Sequence, residues 1–120
     1  MFDLEFYEDR RGNVEIADYL DELREKAKTS KDARINRQKI LAYMAALQES
    51  GTRLGEPFVK LIEEDIWELR PLNNRIFFFY WKDNTFVLLH YFVKKSQKTP
   101  KKEIEKAKRN RDDWLKRNKK

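Results

Sequence analysis

Apolar residues are bunched rather than spread along this chain. Two near-continuous runs, Ile76–Trp81 and Phe86–Val93, are parted only by the polar stretch Lys82–Thr85. Aromatic and β-branched runs of this length, divided by an Asp-Asn pair, predict a β-hairpin at the centre of a sheet. Phe58–Ile62 and Ile66–Arg70 are shorter strand candidates separated by Glu63-Glu64-Asp65. Residues 3–7 alternate polar and apolar and predict a first strand.

Between that strand and Gly51 the apolar period becomes helical. Val14, Ile16, Ala17, Leu20, Leu23 and Ala27 form one stripe, while Asp18, Asp21, Glu22 and Glu25 face water. Asn13 is the expected N-cap, and the helix is expected to run to about Lys28. Ser30 is placed to cap a second helix of about 20 residues. Ile35, Ile40, Leu41, Tyr43, Met44 and Leu47 are its expected buried side, and Gly51 its stop. So short a link predicts an antiparallel helical hairpin. Gly55-Glu56-Pro57 closes this helical half. At the other end, Thr99-Pro100 reads as N-cap and first residue of a last helix. Ile104, Ala107, Trp114 and Leu115 are its expected core contacts. The order is β-α-α-β-β-β-β-α. Strands segregated from helices in this way predict an α+β fold: a small, mainly antiparallel sheet carrying an N-terminal helical hairpin and a C-terminal helix. At 120 residues the expectation is a single domain spanning 1–120.

Charge changes the picture. Charged residues make up 40% of the chain and the net charge is +6, yet it is unevenly held. Residues 94–120 carry 13 Lys/Arg against 4 Asp/Glu, whereas residues 1–93 carry 14 against 17. A basic tail on a slightly acidic body suits a polyanion partner, and equally serves solubility. With no cysteine, disulfides and thiolate metal sites are excluded. No apolar run approaches the ~18–20 residues of a membrane span, and the acidic, aromatic N-terminus does not resemble a signal peptide, so a cytoplasmic protein is expected. There is no Gly-rich phosphate loop, no HExxH and no Cys/His zinc spacing, and neither a cofactor nor a metal is expected. The one histidine, His90, is expected to share a strand face with Phe86, Leu88 and Phe92, as a core or edge residue. Glu63, Glu64 and Asp65 read as a solvated loop.

The candidate chemistry lies in cations at the hairpin's ends. Arg70 and Arg75 precede the first apolar run, and Lys94, Lys95 and Lys98 follow the second. Pairing of the strands would bring Arg75, Lys94 and Lys95 together at the open end. Clustered cations there call for an anion, and phosphate suits them. RNA cleaves itself when its 2′-OH attacks the adjacent phosphate. A protein accelerates this by supplying a base, an acid and fixed cations for the developing phosphorane charge. Arginine meets the last need because its planar fork binds phosphate oxygens bidentately and keeps its charge.

Several motifs stand here in order: Glu68-Leu69-Arg70, Asn74-Arg75 opening an aromatic strand, Leu88-Leu89-His90-Tyr91-Phe92, Lys94-Lys95 with Lys98-Thr99-Pro100, and Glu103-Ile104 with Ala107. Together they resemble the RelE/HigB toxins of bacterial type II toxin–antitoxin modules, most closely the phage-derived HigB-like branch. The resemblance is strong over residues 56–110. It implies a microbial-RNase-like fold and a ribosome-dependent, metal-independent mRNA endonuclease, an mRNA interferase that inhibits translation. It also implies a HigA-like helix-turn-helix antitoxin, which neutralises the toxin in a heterotetramer or larger complex and carries it to operator DNA. By position, Arg70, Arg75, Lys94 and Lys95 correspond to catalytic cations, with Glu68 orienting Arg70. Lys60, Lys98, Lys101 and Lys102 are candidate RNA contacts. The chain lacks a tyrosine in the last helix, which leaves His90 and Tyr91 as the nearby candidates for base and acid. Two alternatives stay open: a ParE-like, non-catalytic gyrase inhibitor on the same fold, and a non-toxic basic RNA-binding module.

Overall fold

The two apolar runs pair as the antiparallel strands β4 (Asn74–Lys82) and β5 (Thr85–Val93) in the computed structural model, which describes residues 1–119. Asp83 and Asn84 both take positive φ, 52° and 57°, in the two-residue connection that suits the strand twist. The other strands are β1 (Asp3–Phe6), β2 (Val59–Glu63) and β3 (Ile66–Leu69), and the sheet order is β1-β5-β4-β3-β2. Only the β1–β5 pair is parallel. Helices α1 (Glu15–Lys26) and α2 (Lys31–Ser50) cover one face, and α3 (Lys101–Arg117) covers the other. This is the α+β architecture and element order that the sequence predicts.

Both runs are nearly all apolar because both faces of the hairpin are covered. Ile76, Phe78, Phe86 and Leu88 join Ile16, Leu20, Ile40 and Leu47 on the helical-hairpin side. Phe77, Phe79, Val87 and Leu89 join Ile104 and Ala107 under α3. One irregularity matters for function. Phe77 pairs with His90 but Phe78 pairs with Leu88, so Leu89 is an extra residue in β5. That bulge reverses the alternation of faces. His90 therefore shares its face with Phe92 and stacks on Phe77, away from Phe86 and Leu88, where simple alternation had placed it.

Several local expectations hold and several do not. The Ser30 hydroxyl accepts a hydrogen bond from the Ala33 amide at 3.1 Å and caps α2. Asn13 does not cap α1; the Asp9 carboxylate takes its amide and side chain in a turn, and the helix starts at Glu15 without a side-chain cap. The helix also ends at Lys26, short of Lys28. Ile35 and Leu41 are exposed, because the buried stripe of α2 follows Ala33, Ile40 and Leu47. In α3, Trp114 packs edge-on against Trp81, and its neighbour Leu115 stays exposed.

Gly51 ends α2 at φ 62° beneath the ring of Phe2, where an added Cβ would lie 2.7 Å from the nearest ring carbon. Gly51→Ala is expected to cost more than the ~1–3 kcal/mol of backbone strain alone, because φ 62° with ψ −151° is a conformation nearly confined to glycine. Gly55→Ala has a similar φ of 65° and no neighbour closer than 3.9 Å, so it isolates the backbone part. Urea midpoints of the two variants measure the difference.

Helix α3 is tied down by charge. Lys108 reaches Glu63 and Glu64, and Arg111 reaches Glu64 and Asp65, so the acidic turn is solvated but also anchors the helix. Farther along, Asp113 accepts from the Tyr7 hydroxyl at 2.6 Å and pairs with Arg10 and Arg117. Burial, then the Asp113 hydrogen bond and charge, push Tyr7 up to about 12. The folded state thus holds this proton more tightly than the unfolded chain. Its stabilisation is complete below pH ~10 and disappears as pH rises through ~12, a loss of about 1–2 kcal/mol after allowing for solvent screening. Urea titrations at pH 9 and pH 11 should show about half of that loss, and Tyr7→Phe should remove it.

Candidate active site

Arg75 is the second residue of β4, and its side chain points to the α3 face. It is 7% exposed. Its Nη1 donates to the carbonyls of Leu72 and Asn74 at 2.8 and 2.9 Å, and its Nε lies 3.8 Å from Glu68 Oε1. Those contacts fix the plane of the guanidinium. Nη2 has no protein acceptor among the described residues.

The loop supplying the two carbonyls is itself held from the other face. The Tyr19 hydroxyl donates to Asn74 Oδ1 at 2.7 Å, while Asn74 Nδ2 donates to Asn36 Oδ1 at 2.6 Å and to the Pro71 carbonyl at 3.0 Å. A buried asparagine thereby links α1, α2 and the loop entering β4. Neither the apolar pattern nor the family motifs reveal this network.

Glu68, on β3, is 1% exposed and lies between two arginines. Its Oε1 is 3.5 Å from Arg70 Nε and 3.8 Å from Arg75 Nε, and its Oε2 accepts from the Thr99 hydroxyl at 3.0 Å. Thr99 is therefore not the helix cap; Pro100 holds that position, and the threonine instead ties the basic loop to the sheet. Both arginine contacts are longer than a charge-assisted hydrogen bond. Arg70 Nε is buried without a hydrogen-bond partner. Burial, then the neighbouring Arg70, lower the pKa of Arg75, and Glu68 opposes the shift. One carboxylate thus faces two arginines without tightly satisfying either.

Arg75, Lys94 and Lys95 line a single open cleft of about 570 Å³ with Asn73, Ser96 and Gln97. The amide of Lys94 donates to the Asn73 carbonyl at 2.7 Å and locks the loop to the hairpin's open end. Three of the four cations assigned by the family motifs therefore meet in one place, while Arg70 is drawn behind them to Glu68. Lys60 is exposed on β2 opposite Glu68, Lys98 is exposed in the loop, and Lys101 and Lys102 are exposed in the first turn of α3. None of these four lines the Arg75 cleft.

The two acid–base candidates differ in environment. Tyr91 stacks on Tyr19 at 4.2 Å, and burial, followed by the charges of Tyr19, Glu15 and Glu22, raises its pKa. His90 is buried with Nδ1 against Glu15 Oε1 and Nε2 2.7 Å from Glu103 Oε1. Lys106 lies 3.6 Å from Glu15. Burial opposes the charge on Glu15, yet the His90 hydrogen bond and charge, with Lys106, leave its pKa lowered. Sequence reading found His90 but missed both carboxylates, since Glu15 lies 75 residues away in the chain. Among the described residues no group of three or more His, Cys, Asp or Glu is arranged to hold a metal ion.

Three helices, a five-stranded, mostly antiparallel sheet and a cationic cleft at the open end of its central hairpin define the class. Residues 18–112 match the model of the Gp49-like phage-derived proteins, and the chain belongs to that family. The family is associated with RelE-like toxins of toxin–antitoxin systems. No curated protein matches the chain. Among the described residues no helix is long and apolar enough to cross a membrane.

Proposed function

We propose that this chain is the HigB-like toxin of a type II toxin–antitoxin module, a ribosome-dependent mRNA endonuclease acting without metal. The observation that carries this reading is the guanidinium of Arg75, held by two carbonyls and sharing an open cleft with Lys94 and Lys95. Glu68 is shared between Arg70 and Arg75, and the cleft adds Lys94 and Lys95 with no carboxylate among its lining residues, so the site has charge left for an anion. A phosphodiester in the cleft would be attacked by its own 2′-oxygen. The 2′-O–P bond forms as the hydroxyl gives its proton to a base, the P–5′-O bond breaks as the leaving oxygen takes a proton, and a 2′,3′-cyclic phosphate and a 5′-hydroxyl remain. Fixed cations favour this step because negative charge grows on the phosphorane oxygens. Lys60, Lys98, Lys101 and Lys102 would steer the message by long-range attraction.

The partners follow from the same reading. A HigA-like helix-turn-helix antitoxin neutralises the chain in a heterotetramer or larger complex, and brings it to operator DNA. The test is induction in bacteria, followed by primer extension on a reporter message with and without its start codon. Codon-phased cuts only in the translated message are the expected result. Growth arrest with intact message would overturn the reading and favour a gyrase-type inhibitor.

A further inference from the structure

Resting on that reading, we propose that the cleft between the end of β5 and the start of α3 is a nucleobase subsite, in which Glu103 selects bases bearing an exocyclic amino group. This second cleft, about 530 Å³, borders the Arg75 cleft, and Lys95 and Ser96 line both. A base attached to a phosphate held by Arg75 would enter it. Arg75 pairs with Phe92, and His90 stands two residues earlier on the same face, about 7 Å along the strand. That is the scale of a single nucleotide.

Its walls suit a base. Phe92, Val93 and Pro100 supply apolar surface, and Lys95 and Lys102 stand at its rim. Single-stranded RNA is read by stacking and by hydrogen bonds to exposed base edges. Two carboxylates line it, but Glu15 is engaged through both oxygens by His90 and Lys106, which leaves Glu103, with a side chain 21% exposed, as the open acceptor. Its Oε1 accepts from the ring of His90, while Oε2 has no hydrogen-bond partner among the described residues. His90 is in turn fixed by Glu15 from α1, which pairs with Lys106. Two carboxylate acceptors are both satisfied only when the ring donates from both nitrogens. The result is an acceptor oxygen held in place through a buried imidazole.

Such an acceptor discriminates among bases. Adenine and cytosine offer amino hydrogens, and guanine offers an amino group beside N1–H. Uracil presents its lone N3–H between two carbonyl oxygens, which an anionic carboxylate repels. A hydrogen bond to a charged group corresponds to about tenfold or more in selectivity.

Sequencing the 5′ ends of cleaved message tests the proposal, using codon-randomised reporters on translating ribosomes and comparing the unsubstituted chain with Glu103→Gln and His90→Asn. The unsubstituted chain should cut about tenfold less beside uridine than beside A, C or G, at one fixed flank of the cut. E103Q, whose amide also donates, should lift the uridine exclusion while other sites are still cut. H90N, which frees the carboxylate to rotate, should weaken the exclusion. A uniform fall at every site in E103Q, with far-UV circular dichroism unchanged, would overturn the proposal, as would an unchanged base profile in both variants. Absence of cleavage by the unsubstituted chain would instead overturn the nuclease reading itself.

Discussion

Arg75→Ala is expected to lower single-turnover cleavage on programmed ribosomes about 10²–10³-fold and to abolish growth arrest. The magnitude follows from preorganisation. A guanidinium already held by the Leu72 and Asn74 carbonyls needs little rearrangement as charge builds on phosphate. Lys94 and Lys95 remain in the cleft, which limits the loss in binding and concentrates the effect in the chemical step. Arg75→Lys keeps a charge but not the fork, so it should recover only a small part of the rate. A fall in the rate constant at saturating ribosomes, measured at a temperature where the variant is fully folded, is the expected pattern. Undiminished cleavage by the alanine variant would remove Arg75 from the chemistry.

Glu68→Gln is expected to have the largest effect on stability. Glu68 is almost wholly buried, and it is the carboxylate set between Arg70 and Arg75. Neutralising it leaves two largely buried guanidinium groups repelling each other, and removing the one carboxylate of such a buried charge cluster costs about 3 kcal/mol or more. Thr99 keeps an acceptor in the amide oxygen, so the change isolates charge from hydrogen bonding. The double variant Glu68→Gln/Arg70→Gln should regain part of the lost stability, since one uncompensated cation is then gone. Urea denaturation of the two single variants and the double variant gives the coupling. Additive losses would show that the two residues act independently.

What the sequence revealed and what it hid have separate physical causes. The runs Ile76–Trp81 and Phe86–Val93 announced two-sided burial, and Asp83-Asn84 announced the turn, because both signals are local. Ser30 was legible for the same reason. The face of His90 was not, because a single extra residue, Leu89, reverses every alternation beyond it. Thr99 has the chemistry of a cap, but the Glu68 carboxylate competed successfully for its hydroxyl. The cations of the cleft could be assigned because they occupy strand ends and match family motifs. Glu15 and Glu103 could not, since nothing local in α1 or α3 indicates that both carboxylates meet one imidazole.

The parallel pairing of β1 with β5 also sets a timetable. Asp3 lies beside Thr85, so the first strand made must wait for one made roughly 80 residues later. At bacterial synthesis rates of about 5–20 residues per second, that wait is roughly 4–16 s. Until β5 is made, the α1–α2 hairpin has only β2, β3 and β4 to pack on and lacks Phe86 and Leu88 from its core, and the basic loop beyond β5 does not yet exist. Native closure must therefore follow synthesis of β5, and a nascent chain has no assembled cleft until it has been made past Gln97.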